Sequence, residues 1–270
     1  MNTSEPVTRN SPARPAGLRS PRILILGGTS EANHLAARLA VRADLTVISS
    51  LAGRVSRPRL PEGLVRVGGF GGVAGLISYL AEEEIGVVID ATHPYASKIS
   101  GNAESACREL NLPLLALERP PWKPQAQDCW RPVPEMQAAA SLANRKGNRV
   151  FLSVGRQELG AFSDCNDAWF LVRAIDEPKD RLPLNSRLIL ERGPFHLEDE
   201  LELLRSESIN QIVSKNSGGA ATYSKIEAAS ALRIPVVMID RPSKHTIATI
   251  TQPDEVLRRL DQFLGRNESV

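Results

Sequence analysis

The chain has 270 residues, 42% of them hydrophobic and 24% charged, with a formal net charge of +2. That is material for one large or two modest domains with buried cores, in the ordinary balance of a soluble globular protein. So small a net charge does not by itself imply nucleic-acid binding, although local basic patches remain possible; aromatics at 4% leave few surfaces for stacked bases, and no apolar run approaches a membrane span.

Residues 1–20 are rich in Pro, Ser, Asn and Arg and lack the apolar core of a signal peptide, so they are read as a disordered tail outside the fold. The stretch that organises the rest runs from Arg22 to Ala40. Ile23 to Leu26 are apolar without alternation, which suits a parallel strand covered on both faces. Gly27 and Gly28 remove side chains where the backbone turns and admits a ligand. Thr29 or Ser30 can cap the following helix, on which Leu35, Ala36 and Leu39 recur at helical spacing. Its first turn would offer N–H groups and a positive dipole end to an anion. The turn does not match the full G-x-G-x-x-G fingerprint, so by spacing alone both nucleotide binding and plain α/β scaffolding stay open.

Leu45 to Ser50 reads as a second strand, ending where a Rossmann-type site meets the adenosine ribose. An NAD-selecting site places an acidic residue there. This chain has Ser49, Ser50 and then Arg54, hydroxyls and a guanidinium that suit a 2′-phosphate, so a dinucleotide bound here should be NADP. The alternative is a solvated loop with a surface arginine. Leu64 to Val67 is a short third strand, and Gly68-Gly69-Phe70-Gly71-Gly72 is backbone bare enough for a positive-φ turn or close ligand approach. A helix through Gly75, Leu76 and Leu80 ends near Glu82 to Glu84.

Ile85 to Asp90 is another buried strand, running into Ala91-Thr92-His93-Pro94-Tyr95-Ala96. Asp, Thr and His at its carboxyl end stand where open parallel sheets keep their ligands. The structural alternative is that Asp90 caps the next helix and His93 packs on Pro94. A helix from Ser97 to Leu110 and a strand from Leu114 to Leu117 complete a doubly wound unit, assigned to residues 21–120. The prolines of Glu118-Arg-Pro-Pro-Trp-Lys-Pro124 then mark a crossing to a second domain, residues 121–270.

That half alternates again. Strands are predicted at Trp130–Val133, Arg149–Val154, Trp169–Ile175, Arg187–Glu191 and Ile209–Ser214, with Pro235–Asp240 as the last core strand. Helices are predicted at Pro134–Asn144, Leu197–Glu207, from about Thr222 to Leu232, and at Asp254–Leu264. Three strand ends carry glycine with polar or basic residues: Gly155-Arg156-Gln157, Arg192-Gly193 and Lys215-Asn216-Ser217-Gly218-Gly219. The fold class expected is α/β, two Rossmann-like doubly wound parallel-sheet domains with a cleft between them. Cys107, Cys129 and Cys165 are scattered and odd in number, which fits reduced thiols and a cytoplasmic protein, and the four histidines have no metal-ligand spacing.

Taken together, Gly27-Gly28-Thr29-Ser30-Glu31, Ser50-Leu51-Ala52-Gly53-Arg54, Asp90 to Ala96, Arg119-Pro-Pro-Trp122 and Lys215-Asn216-Ser217-Gly218-Gly219 resemble the precorrin-6A reductase family of corrin biosynthesis, over roughly Arg22 to Leu264. The resemblance implies an NADPH-dependent reduction of one ring double bond of a corrin precursor, with two Rossmann-like domains around cofactor and macrocycle. The substrate would be precorrin-6A or its cobalt complex, which the sequence does not separate. No nucleic acid or membrane partner is expected, and the chain would be a monomer or weak oligomer. Under this reading Gly27, Gly28, Thr29 and Ser30 contact the cofactor's phosphates or ribose, Ser50 and Arg54 its 2′-phosphate, and Thr92 and His93 lie beside the nicotinamide or macrocycle. Lys215, Asn216 and Ser217 form the facing wall, where the lysine could steer substrate carboxylates or a cofactor phosphate, and Asn216, Ser217 and Gly218 count among the cofactor-binding residues; the alternative is an ordinary strand-to-helix turn. His93, Tyr95, Lys215 and water compete as proton donor, His93 having the most suitable ordinary pKa, near ~6.5. Arg119, Lys123, Arg156 and Arg192 are candidate cations for the substrate's carboxylate arms. An NADP-dependent reductase of a smaller substrate, or a non-catalytic nucleotide- or tetrapyrrole-binding module, are the other readings.

Overall fold

The computed structural model describes residues 20–265 apart from Arg54, Arg57 and His245, so the tail short of Ser20 and the Arg54 assignment lie outside the described residues. The chain opens with β1 (Arg22–Leu26), α1 (Ser30–Ala40), β2 (Thr46–Leu51), β3 (Leu64–Val67), α2 (Gly72–Glu82), β4 (Ile85–Asp90), α3 (Ser97–Glu109) and β5 (Leu114–Leu117). After the proline corner come β6 (Trp130–Val133), α4 (Met136–Ala143), β7 (Arg149–Ser153), a 3₁₀ turn (Leu159–Phe162), β8 (Trp169–Ala174) and β9 (Ser186–Leu190). Then follow α5 (Leu197–Ser206), β10 (Gln211–Lys215), α6 (Ser224–Leu232), β11 (Val236–Ile239), β12 (Thr249–Ile250) and α7 (Pro253–Phe263). Most ends fall within a residue or two of those expected, the usual uncertainty of fraying termini.

The strands form two six-stranded sheets, and every pairing is parallel. The first runs β12-β5-β4-β1-β2-β3, which read from its other edge is the doubly wound order 3-2-1-4-5-6 with β12 in sixth place. The second runs β6-β11-β10-β7-β8-β9; β7 to β11 repeat that order, but the sixth place is filled by β6, which precedes them in the chain. Topological switch points therefore lie between β1 and β4 and between β7 and β10. In α/β sheets of this kind, ligands sit outside the carboxyl ends of strands at such points.

The chain separates into two compact units, one running to Arg119 and resuming at Ser243, the other Pro120–Pro242. This corrects the reading that gave residues 121–270 to the second domain. The first crossing does fall at the proline corner, but the chain crosses back, and its last strand and helix complete the first sheet. β12 pairs with β5, and Val256 and Leu260 of α7 are fully buried with Leu35, Ala36 and Leu39 of α1 in one apolar cluster. It also corrects Pro235–Asp240 as the last core strand. A two-residue strand has no periodicity to read, and only its edge pairing makes it one.

Within the first unit α1 and α7 cover one face of the sheet, while Leu76 and Leu80 of α2 and Ala103 and Ala106 of α3 cover the other. Covering both faces is why the strands read as unbroken aliphatic runs. In the second unit Phe151 of β7 and Leu171 of β8 pack under α5 and α6 with Leu204, Ile226 and Ala229. Pro132 lies in β6, the edge strand next to β11, where a missing N–H is tolerated.

Candidate active site

At the first switch point β1 runs into the diglycine turn. The Gly27 amide donates to the Ser50 carbonyl at 2.9 Å, carrying the β1–β2 pairing one residue past the strand. Gly28 has φ +108°, and a Cβ there would meet nothing within 4 Å, so glycine serves the backbone conformation and leaves open space above it. Thr29, not Ser30, caps α1. Its buried Oγ1 accepts from the Ala32 amide at 3.1 Å and donates to the Ala91 carbonyl at 2.8 Å. One hydroxyl thus closes the helix start and ties the β1 turn to the end of β4. Ser30 is exposed beside Glu31, which pairs with Arg119 at 2.9 Å.

Asp90, with no exposed surface, ends β4. Its Oδ1 accepts from the Thr92 amide at 2.9 Å and from Thr92 Oγ1 at 2.6 Å, which folds the polar loop back onto the strand end. Helix α3 begins at Ser97 with no side-chain cap, so Asp90 shapes this turn instead of capping the helix. The Lys244 Nζ donates to the Thr92 carbonyl at 3.1 Å and lies 3.7 Å from Asp90 Oδ1, its side chain only 2% exposed. Sequence reasoning missed Lys244. It sits 152 residues from Thr92 in a polar stretch, and only the return of the chain into the first unit brings it here. His93 is partly exposed; its Nδ1 accepts from the Tyr95 amide at 3.3 Å, and the two rings are 5.7 Å apart.

Ser50 is buried near the end of β2, in register with Arg66 of β3. Arg66 Nη1 lies 3.4 Å from Ser50 Oγ and donates to the Gly68 carbonyl at 2.6 Å, while Nη2 donates to the Gly69 carbonyl at 2.7 Å. The guanidinium stands over the Phe70 ring at 3.9 Å and near the Tyr79 ring at 5.0 Å. Burial pulls its pKa below the ordinary value, with Tyr79 acting weakly in the opposite direction. Arg66 was also missed, because a lone arginine inside an aliphatic strand reads as an outward-facing side chain.

In the second unit Lys215 ends β10 beside the switch point with β7. Its Nζ pairs with Glu158 Oε1 at 2.9 Å, and a Cβ on Gly155 would come within 2.4 Å of Glu158 Oε2, so glycine makes room for the pair. Asn216 is bound on every side. Its amide donates to the Ile239 carbonyl, its carbonyl accepts from Arg241 Nε, its Oδ1 accepts from the Trp122 amide at 2.8 Å, and its Nδ2 donates to the Trp122 carbonyl. Trp122 Nε1 donates to the Gly219 carbonyl at 2.9 Å, so the proline corner and this loop are one structure. Ser217 is buried and Gly218 has φ +66°. Of the cations named for substrate arms, Arg119 is paired with Glu31 and Arg156 lies 3.7 Å from Asp176, while Arg192 and Lys123 are exposed. Among the described residues no cluster of His, Cys, Asp and Glu could hold a metal ion, and no helix is long and apolar enough to cross a membrane.

Two doubly wound parallel sheets, with a glycine turn and a threonine-capped helix at the first switch point, define an α/β protein of the Rossmann type. Residues 22–261 match the family described as precorrin-6x reductase CbiJ/CobK, and the chain belongs to that family. A precorrin-6A reductase from Rhodococcus erythropolis is 48% identical over 221 residues, covering 82% of this chain and 89% of that one. A cobalt-precorrin-6A reductase from Priestia megaterium is 26% identical over 250 residues, covering 88% and 97%. The solved structure of a CobK precorrin-6A reductase superposes with a TM-score of 0.85 at 41% identity, covering 93% of this chain and all of that one.

Proposed function

We propose that the protein is an NADPH-dependent precorrin-6A reductase of cobalamin biosynthesis, adding a hydride and a proton across one ring double bond of the macrocycle. The observation that carries this reading is the open diglycine turn and capped helix at the β1–β4 switch point, in a chain 48% identical to a relative bearing that name. The higher identity to that relative than to the Priestia megaterium protein supports the macrocycle without cobalt over its cobalt complex.

The residues present fit the cofactor. Gly28 leaves open space over the start of α1, where helix N–H groups favour phosphate, and the ends of β2 and β3 offer a hydroxyl and a guanidinium in place of an acid. Gly27, Gly28, Thr29 and Ser30 hold phosphates or ribose, and Ser50 and Arg54 hold the 2′-phosphate. NADPH, when bound, supplies the hydride. Thr92 lies beside the nicotinamide or macrocycle, its backbone clamped by Asp90 and Lys244. The Tyr95 amide donates to His93 Nδ1, so Nε2 carries the neutral imidazole's proton; donation itself needs the imidazolium, and an imidazole's ordinary pKa, near ~6.5, suits that role better than those of a phenol or an amine, which favours His93 over Tyr95 and Lys215. Lys215 is held by Glu158 as a cation for a carboxylate arm, and Ser217 and Gly218 complete its loop. Asn216 is a positioning residue.

The test is the loss of NADPH absorbance on adding precorrin-6A, run beside its cobalt complex. Oxidation with the cobalt-free macrocycle, faster than with the complex, is expected. Tight NADPH binding without oxidation of either would replace the reductase by a binding module. His93→Gln should lower turnover by about a hundredfold while leaving NADPH affinity alone; full turnover would remove His93 as donor.

A further inference from the structure

We infer that Arg66, with the Ser50 hydroxyl beside it, selects NADPH over NADH by binding the 2′-phosphate, an inference that rests on the cofactor reading above. The position is the first argument. Arg66 is the Cα partner of Ser50 across the β2–β3 ladder, at the carboxyl ends of the strands where this sheet order places the adenosine ribose.

The second argument is charge. Arg22, Arg38, Arg42, Arg119 and Arg173 each reach a carboxylate, whereas no ion pair among the described residues includes Arg66. It is nonetheless partly withdrawn from water, under the rings of Phe70 and Tyr79. Two carbonyl dipoles and two aromatic faces offset part of that desolvation, but none of them carries a full negative charge. A dianionic phosphate would supply it, and guanidinium is the side chain whose planar fork fits phosphate oxygens.

The third argument is that the fork is already aimed. Bonds to the Gly68 and Gly69 carbonyls fix its plane, and Ser50 Oγ lies 3.4 Å from Nη1. Five N–H donors are available on a guanidinium, and those three contacts leave others for a ligand. A carboxylate here would instead accept from a free 2′-hydroxyl and favour NADH.

Calorimetric binding of NADP⁺ and NAD⁺ to the intact chain tests this without turnover, with 2′,5′-ADP and 5′-AMP as the fragment pair. The native protein should prefer NADP⁺ and 2′,5′-ADP. Arg66→Gln should reduce that preference by about ten- to a hundredfold, leaving NAD⁺ affinity unchanged. Arg66→Lys should keep part of it, since it retains the charge and loses the fork; this variant decides the matter if the glutamine variant does not fold. An undiminished NADP⁺ preference in the folded variant overturns the role of Arg66 and leaves the cofactor reading intact. Failure of the native protein to bind NADP⁺ overturns both.

Discussion

A Cβ at Gly75 would stand 1.7 Å from the carbonyl oxygen of Phe70, whereas one at Gly69 would meet nothing within 4 Å. The two glycines border the same loop but serve different ends, close backbone approach at one and open surface at the other. Gly75→Ala should cost about 1–3 kcal/mol by overpacking, and Gly69→Ala should be close to neutral, as read from paired thermal denaturation curves. Lys244 poses a similar contrast among ion pairs. Lys244→Met removes a buried cation from wholly buried Asp90 and should cost about 3–5 kcal/mol. Arg42→Met breaks partly exposed pairs with Asp44 and Asp261 and should cost about 1 kcal/mol or less. Equal losses in urea titrations of the two variants would contradict the weight given to burial.

Cys107 carries a prediction in pH. Burial, reinforced by the charge of Asp90, pushes its thiol up to about 12. The folded state therefore holds this proton more tightly than the unfolded chain, whose thiol titrates near ~8.5. The stability it contributes is complete below that unfolded value and is lost as pH rises toward the folded one. Cys107→Ala should flatten the fall in unfolding free energy over that alkaline window; an unchanged slope would place its origin elsewhere.

Among the elements, β12 and α7 show how a short segment can matter more than its length suggests. The strap ahead of them is pinned by Lys244 on the Thr92 carbonyl and by Thr246, whose amide and hydroxyl donate to Glu104 at 2.8 and 2.7 Å. Helix α7 then closes the α1 face of the first sheet with Val256 and Leu260. Leu260→Ala should cost about 2–5 kcal/mol, the usual range for a buried leucine, although the helix lies near the end of the chain. A loss under about 1 kcal/mol by chemical denaturation would mean that α7 contributes little to that core.

For the whole molecule, the double crossing makes the first unit discontinuous and the second continuous. A fragment of residues 120–242 keeps all six strands of its sheet, so it should be soluble and unfold cooperatively by itself. A fragment of residues 20–119 lacks the edge strand and one of the two helices that cover one face, and should bind a hydrophobic dye and lose cooperative unfolding. Well-behaved isolated residues 20–119 would show that the returning segment is dispensable for that fold.

Much of this protein can be read in the chain because buried parallel strands are apolar on both faces and announce themselves as Ile23–Leu26 and Ile85–Asp90 do, while Gly27-Gly28 and Thr29 mark the turn and cap that local backbone geometry requires. Those signals are local, and they determined the element order, the α/β class and the glycine and polar strand ends of the candidate site. Only the tertiary structure decided which sheet received β12 and α7, that Lys244 lies under Thr92, that Arg66 meets Ser50, and that Asn216 is committed to Trp122. The physical reason is range: each of these depends on packing and pairing between segments distant in sequence, and no periodicity or spacing along a chain encodes which distant partner a strand edge or a buried charge will find.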